Sequence, residues 1–301
     1  MSKASFVAVD WGTTSFRLWV MDEGANILAT TSGPYGMSRL KPDEYDRVLE
    51  DSLLKLNVAQ DIPVIISGMA GAAQGWCEAP YLLAPTQLDD LGPGAVKVTC
   101  ASREVRILPG VKQLSPANVM RGEETQIAGL LGQHPDFDGI ACLPGTHTKW
   151  VHIKNRAIVA FETCLTGEQF AFFSETSVLS HSMADGGWDE NAFESAVRSA
   201  IKDPLSVPRR LFAIRAEMLV AQQSSAQARA TLSGLLIGQE LMSVLQYWRG
   251  QDVTLIGATT LCDLYSKALA LAGAAASICD VTAMTLAGLS AAHQQGQHAD
   301  A

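Results

Sequence analysis

Phe6-Val-Ala-Val-Asp10-Trp-Gly12-Thr13-Thr14-Ser15-Phe-Arg17-Leu-Trp-Val20 reads as an apolar strand, an aspartate, a turn of small residues and a second apolar strand. Backbone N–H groups and hydroxyls in such a turn can close on phosphate oxygens. An aspartate at the strand end can hold Mg²⁺, directly or through water. Gly and Thr also serve turn geometry alone, so this stretch gains meaning only from what accompanies it.

The pattern recurs. Ile140-Ala-Cys-Leu-Pro-Gly145-Thr146-His147-Thr148-Lys149-Trp150-Val151 again carries a strand into Gly-Thr-x-Ser/Thr and out along another strand. Gly12-Thr13-Thr14-Ser15 aligns with Gly145-Thr146-His147-Thr148. The strands that follow lead to turns at residues 23–26 and 154–156, and a third strand comes after each, from Ile27 and from Ile158. Three strands in the same order point to internal duplication.

The 301 residues suffice for two domains, each able to bury a core. A net charge of −9 lacks the basic face that a nucleic-acid binder needs. It leaves room for an anionic small ligand, because a metal and backbone amides can supply local positive potential. The cysteines at 77, 100, 142, 164, 262 and 279 form no Cys-x-x-Cys pair. With no signal peptide read at the start, they fit reduced thiols and a cytoplasmic setting. No apolar run reaches the length of a membrane span; even residues 268–277 are too short and lie between Lys267 and Asp280.

The first half reads as a three-strand meander (5–10, 16–21, 26–31) and a helix over 42–57 with acidic residues in its first turn. A buried strand at 63–67 and short strands near 96–99 and 105–108 complete it. Residues 114–122 read as the crossing between halves, and a helix over 123–132 opens the second half. Helices at 167–179 and through most of 189–249 then follow the repeat strands. A strand at 252–257, a helix at 260–273, a strand at 277–279 and a helix at 283–293 end the chain, with a frayed tail beyond 294. The expected organisation is two α/β domains, 1–118 and 119–301, flanking a ligand cleft, with the last helix free to pack back on the first domain.

Two Gly-Thr hairpins and a late strand-Gly-helix resemble the phosphate-1, phosphate-2 and adenosine motifs of the actin, sugar kinase and heat-shock ATPase superfamily. A narrower resemblance is carried by Asp10-Trp-Gly-Thr-Thr-Ser-Phe-Arg-Leu-Trp19, Gly75-Trp-Cys-Glu-Ala-Pro-Tyr81 and Met120-Arg-Gly-Glu-Glu-Thr-Gln126. Leu143-Pro-Gly-Thr-His-Thr-Lys-Trp150, Leu165-Thr-Gly-Glu168 and Leu232-Ser-Gly-Leu-Leu-Ile-Gly238 continue it. Together they are similar to the 2-dehydro-3-deoxygalactonokinase family across nearly the whole chain. The resemblance implies two duplicated actin-like (ribonuclease H-like) domains. It also implies transfer of the ATP γ-phosphoryl group to the 6-hydroxyl of 2-dehydro-3-deoxy-D-galactonate in galactonate catabolism. The gluconate epimer, an exopolyphosphatase-like hydrolase and a non-catalytic sugar-acid sensor are the alternatives, and homodimer formation is left open. The Gly-x-x-x-x-Gly-Lys-Ser/Thr phosphate loop is absent.

Under this resemblance Asp10 holds Mg²⁺, and Gly12, Thr13, Thr14, Gly145, Thr146 and Thr148 grip phosphate oxygens, with His147 orienting a contact. Many sugar kinases of the superfamily place an Asp where this chain has Thr148, so the usual proton acceptor is missing. Glu123 and Glu124 are the replacements, and the Gly-x-Glu position of exopolyphosphatases favours Glu124. Acidic residues in a first helical turn also follow from the helix dipole alone. Gly257, Thr259 and Thr260 would contact adenosine at a helix N-terminus. Arg17, Gln74, Trp76, Glu78 and Arg121 are the candidates to hold the sugar acid, with Tyr81 beside them and Trp76 equally suited to the core.

Overall fold

The computed structural model describes residues 3–99, 101–183 and 186–299, so Cys100 lies outside it. The first strands are β1 (Ala4–Trp11), β2 (Phe16–Asp22) and β3 (Ile27–Gly33). Helix α1 (Tyr45–Lys55) and strand β4 (Val64–Gly68) follow. Short strands β5 (Tyr81–Leu83), β6 (Thr86–Gln87), β7 (Val96–Lys97) and β8 (Val105–Ile107) lead to the hairpin β9 (Gly110–Leu114) and β10 (Ala117–Met120). Helix α2 (Glu123–Gln133) precedes the second meander, β11 (Gly139–Leu143), β12 (Thr148–Lys154) and β13 (Ala157–Cys164). Then come α3 (Thr166–Ala171), α4 (Glu190–Lys202), α5 (Val207–Ala221), α6 (Ser225–Ser243) and α7 (Leu245–Trp248). The chain closes with β14 (Val253–Gly257), α8 (Thr259–Leu271), β15 (Ala276–Asp280) and α9 (Val281–Ala299).

The duplication is visible in strand order. One sheet runs β3-β2-β1-β4-β8-β7, and the other contains β15-β14-β11-β12-β13. In the first, β1 pairs parallel with β4 and β4 with β8. In the second, β11 pairs parallel with β14 and β14 with β15. Each half is therefore a meander extended by two parallel strands, and the central strands are buried on both faces, which is why they read as unbroken apolar runs.

Packing groups the chain into two units. Unit 1 comprises Met1–Asp138, Ile153–Ala160 and Val281–Ala301; unit 2 comprises Gly139–His152 and Phe161–Asp280. The expected boundary at 118/119 differs from this, because α2 belongs to unit 1; α9 also belongs there, in line with the expectation that the last helix packs back on the first domain. The two helices cross at close range: a Cβ on Gly129 would stand 1.9 Å from the Met284 carbonyl oxygen, and one on Gly288 1.9 Å from that of Thr125. Each glycine faces the residue four positions before the other, so the crossing is two-fold in character.

Other expectations shift as well. Residues 110–120 form a hairpin inside unit 1, where a crossing segment was expected. The helix expected over 167–179 is α3 followed by a π-helical turn at Phe172–Thr176 and a 3-10 turn at Val178–Ser182. The long helical stretch divides into four helices, and α9 runs through Ala299 where fraying was expected after 294. A 3-10 turn over Pro42–Glu44 precedes α1. The five described cysteines carry no disulfide.

Candidate active site

In unit 1, Asp10 stands near the C-terminal end of β1, cross-strand from Arg17 on β2 and from Ser67 on β4. Arg17 donates to its Oδ2 through both Nε, at 3.1 Å, and Nη2, and rests over the Trp19 ring. Oδ1 has no protein donor among the described residues. The turn after Asp10 leaves Thr13, Thr14 and Ser15 exposed. It is clamped by the segment after β3: Met37 N–H donates to the Gly12 carbonyl at 3.0 Å and Ser38 N–H to that of Thr13 at 2.9 Å. Gly36 makes this fit, since a Cβ there would lie 2.4 Å from the Thr13 oxygen.

The start of α2 is tied to the same sheet. Ser67 and Thr125 share a hydrogen bond of 2.7 Å, and the Thr125 hydroxyl donates to Glu124 Oε1 at 3.1 Å. Glu124 is fully buried, and both its oxygens accept the Gly122 N–H, at 2.9 and 2.8 Å. Burial, then the neighbouring Glu123, pushes its carboxyl up to about 7, against the pull of those hydrogen bonds. Glu123 is only half-buried and accepts the Arg121 N–H at 3.0 Å. The two carboxylates thus divide: Glu124 points inward and caps its own helix, and Glu123 stays accessible.

The Gly-rich loop departs from expectation in one residue. Trp76 is 7% exposed and lies in the core with Trp11 and Tyr45, stacked on the latter at 5.9 Å. Its ring serves packing, the apolar alternative the sequence offered, while Gln74 and Glu78 are exposed. Arg121 donates through Nη2 to the Ala79 carbonyl at 2.8 Å and lies 4.3 Å over the Tyr81 ring. Its Nε and Nη1 are enclosed with no protein acceptor.

Unit 2 repeats the clamped hairpin. Gly145 and Thr146 follow β11, and Thr146 and His147 are exposed. Gly167 closes on them: a Cβ there would lie 2.2 Å from the Gly145 carbonyl oxygen, and Glu168 N–H donates to the Thr146 carbonyl at 2.9 Å. His147 Nε2 and Glu168 Oε2 are 2.5 Å apart. Thr148 differs from its counterpart Ser15. It is fully buried, with its hydroxyl bonded to the Tyr265 hydroxyl at 2.9 Å, so that hydroxyl does not face a phosphate as expected. Lys149 is also buried and donates to Thr163 at 2.9 Å.

A cavity of roughly 430 Å³ opens beside Gly145 and Thr146. Its walls include Phe170, Trp188, Leu236, Ile237, Leu261 and Leu264, with Arg229 among them. A flat apolar group with a polar edge suits such a lining. Gly257 does not line it; its lack of a Cβ lets β14 approach the Pro144 carbonyl oxygen, where a Cβ would be 2.9 Å away. Thr259 and Thr260 are exposed in the first turn of α8, and the α8 residues that reach the cavity are Leu261, Leu264 and Tyr265. The α6 contribution escaped residue-by-residue reading because Leu232–Gly238 is mostly apolar and looks like core. A larger groove of roughly 530 Å³ involves Trp248, Asp252 and Gly273 at the opposite, N-terminal edge of β14 and β15, and contains no hairpin residue. In open α/β sheets ligands bind at the carboxyl ends of the strands, which favours the smaller cavity.

The family model for 2-keto-3-deoxy-galactonokinase matches residues 10–292. The chain belongs to the 2-dehydro-3-deoxygalactonokinase family. It is 37% identical over 293 residues to a probable 2-dehydro-3-deoxygalactonokinase of Rhizobium meliloti (strain 1021), covering 95% of this chain and 96% of that one. The 2-dehydro-3-deoxygalactonokinase of Escherichia coli (strain K12) is 32% identical over 284 residues, covering 93% of each. A Sinorhizobium meliloti crystal structure described as a 2-dehydro-3-deoxygalactonokinase superposes with a TM-score of 0.91 at 37% identity, over 96% of this chain and 98% of that one. Component A of Acidaminococcus fermentans (R)-2-hydroxyglutaryl-CoA dehydratase shares the fold alone, with a TM-score of 0.56 at 13% identity, over 99% of this chain and all of that one. As a member of this family the chain is a sugar-acid kinase. Among the described residues no helix is long and apolar enough to cross a membrane.

Proposed function

We propose that the chain transfers the γ-phosphoryl group of ATP to the 6-hydroxyl of 2-dehydro-3-deoxy-D-galactonate. The observation that carries this reading is the pair of clamped Gly-Thr hairpins, one after β1 beside Asp10 and one after β11 beside an apolar cavity. Thr13, Thr14 and Thr146 are exposed as phosphate contacts require. The cavity lining supports adenosine binding in unit 2, with Arg229 the cationic group at its wall.

Mg²⁺ fits the residues present. Asp10 Oδ1 is free of protein donors, and Mg²⁺ in kinases is commonly held by one or two carboxylates together with substrate phosphates and water. No group of three or more metal-ligating side chains occurs among the described residues, so the reading rests on Asp10 and the nucleotide. The ion would neutralise charge developing on the phosphates.

Glu123 is the proton acceptor this geometry favours. A base must touch the hydroxyl it deprotonates, and Glu124 is sealed in with both oxygens on its own helix. Arg121 is the candidate partner for the sugar-acid carboxylate, because it is a half-buried guanidinium held in place by the Ala79 carbonyl and the Tyr81 ring. Arg121→Gln should raise KM for the sugar acid about tenfold or more and leave KM for ATP near wild type. Equal effects on both constants would remove Arg121 from the substrate site.

A further inference from the structure

Glu240 lies on α6, is 4% exposed, and has no part in the chemistry above. A buried carboxylate is expensive unless its lone pairs are satisfied, and here three elements satisfy them. Trp150 on β12 donates its indole N–H to Oε1 at 2.7 Å. Tyr265 on α8 donates its hydroxyl to Oε2 at 2.8 Å, and Thr166, at the start of α3, donates to the same oxygen.

We infer that Glu240 is a positioning residue for nucleotide binding, holding the Gly145–Thr148 hairpin and the Thr166–Gly167 loop in place around the cavity. Thr166 and Tyr265 themselves line that cavity. Gly167, the next residue, is packed against Gly145 and Thr146. Tyr265 has one hydroxyl proton and gives it to Glu240, so the Thr148 hydroxyl must donate to the Tyr265 oxygen. That chain fixes the base of the hairpin from beneath. Burial pushes the Tyr265 hydroxyl well up, so it remains a donor. For Glu240, burial raises the carboxyl above its usual range, partly offset by hydrogen bonds from Thr166, Trp150, Tyr265 and Thr148.

Glutamine at this position would keep the shape and spoil the order. Its amide offers one acceptor oxygen against three donors, and its NH₂ would face hydroxyls that now donate. The Tyr265 proton would turn toward Thr148, and the hairpin and the Thr166–Gly167 loop would lose their common acceptor on α6.

The inference rests on the reading that the cavity receives the nucleotide, so the test includes a variant that fills it. Affinity for the non-hydrolysable analogue adenylyl imidodiphosphate is measured for wild type, Glu240→Gln, Tyr265→Phe, their double variant and Leu261→Trp, each checked for folding by circular dichroism. KM for the sugar acid is measured alongside. Glu240→Gln should weaken analogue binding about tenfold or more and Tyr265→Phe about threefold or more, with sugar-acid KM unchanged. The double variant should be no worse than Glu240→Gln alone, because both act through one chain. Unchanged affinity in both single variants, with Leu261→Trp weakened, overturns the positioning role and leaves the cavity assignment standing. Unchanged affinity in Leu261→Trp removes the cavity assignment and the inference with it. Equal loss toward analogue and sugar acid would mark Glu240 as structural only. Should Glu240→Gln fail to fold, Tyr265→Phe carries the test by itself.

Discussion

At the residue scale, the proposed reaction would rest on Asp10 and Glu123, with Glu124 buried at the start of α2. Asp10→Asn keeps the shape at the end of β1 but removes the charge that a metal-bound nucleotide would meet. Phosphoryl transfer should fall by the equivalent of about 3 kcal/mol or more of transition-state stabilisation, with the fold intact by circular dichroism. Near-normal turnover at ordinary Mg²⁺ would rule Asp10 out. Glu123→Gln should lower kcat by about 10²–10⁴-fold with little change in KM for ATP, and Glu124→Gln should lower it far less. The Glu124 variant shows itself in stability. Its carboxyl moves from 4.5 to about 7 on folding, so the folded protein binds the proton more tightly than the unfolded chain. Stability therefore declines as pH rises from about 4.5 through 7, by about 3 kcal/mol in total. Glu124→Gln cannot ionise, so its Tm should gain on wild type between pH 5 and pH 8. A constant Tm difference across that range would contradict the buried, reluctantly charged carboxylate. The sequence named both glutamates but not their division of labour, because which of two adjacent helical residues turns inward depends on Ser67 of β4, which meets the Thr125 hydroxyl that bonds Glu124.

At the scale of elements, strands were the most legible part. The meanders and the parallel strands β4 and β14 carry long β-branched runs, and their order alone pointed to duplication. The short strands β5, β6, β9 and β10 carry no such run; β5 and β6 take partners far along the chain, and β9 and β10 form a hairpin too short for periodicity to reveal. The helices over 166–248 were read as nearly continuous; Gly186-Gly187 and Pro204 mark two of the breaks, but those after Ala221 and Ser243 carry neither Pro nor Gly. That the last helix joins the first unit was anticipated, but its crossing with α2 was not legible, since Gly129 and Gly288 look like ordinary helical glycines until the two helices meet. Alanine normally stabilises a helix relative to glycine by about 1 kcal/mol. Here Gly129→Ala or Gly288→Ala should instead destabilise by about 1–3 kcal/mol in urea unfolding, because the added Cβ meets backbone that must move. A stabilised alanine variant would show that the helices separate more easily than their close approach implies.

On the scale of the whole molecule, two copies of one topology have taken different tasks. The first hairpin keeps an aspartate and an exposed serine, as a metal- and phosphate-facing turn requires. The second has a buried Thr148, fastened through Tyr265 to Glu240, and stands beside the apolar cavity. The resemblance at sequence level identified both hairpins, but the cavity wall from α6 became visible only in three dimensions, because the apolar run Leu235–Ile237 announces burial and not what it is buried against. The central claim is a sugar-acid kinase that requires its acceptor. It is tested most directly by ADP release in a coupled assay with 2-dehydro-3-deoxy-D-galactonate, its gluconate epimer, or no sugar acid, using wild type and Asp10→Asn. The account predicts wild-type ADP release that depends on sugar acid, with higher kcat/KM for the galactonate epimer, and loss of most of it in Asp10→Asn. ADP release of equal rate without sugar acid, or none with either epimer, would contradict it.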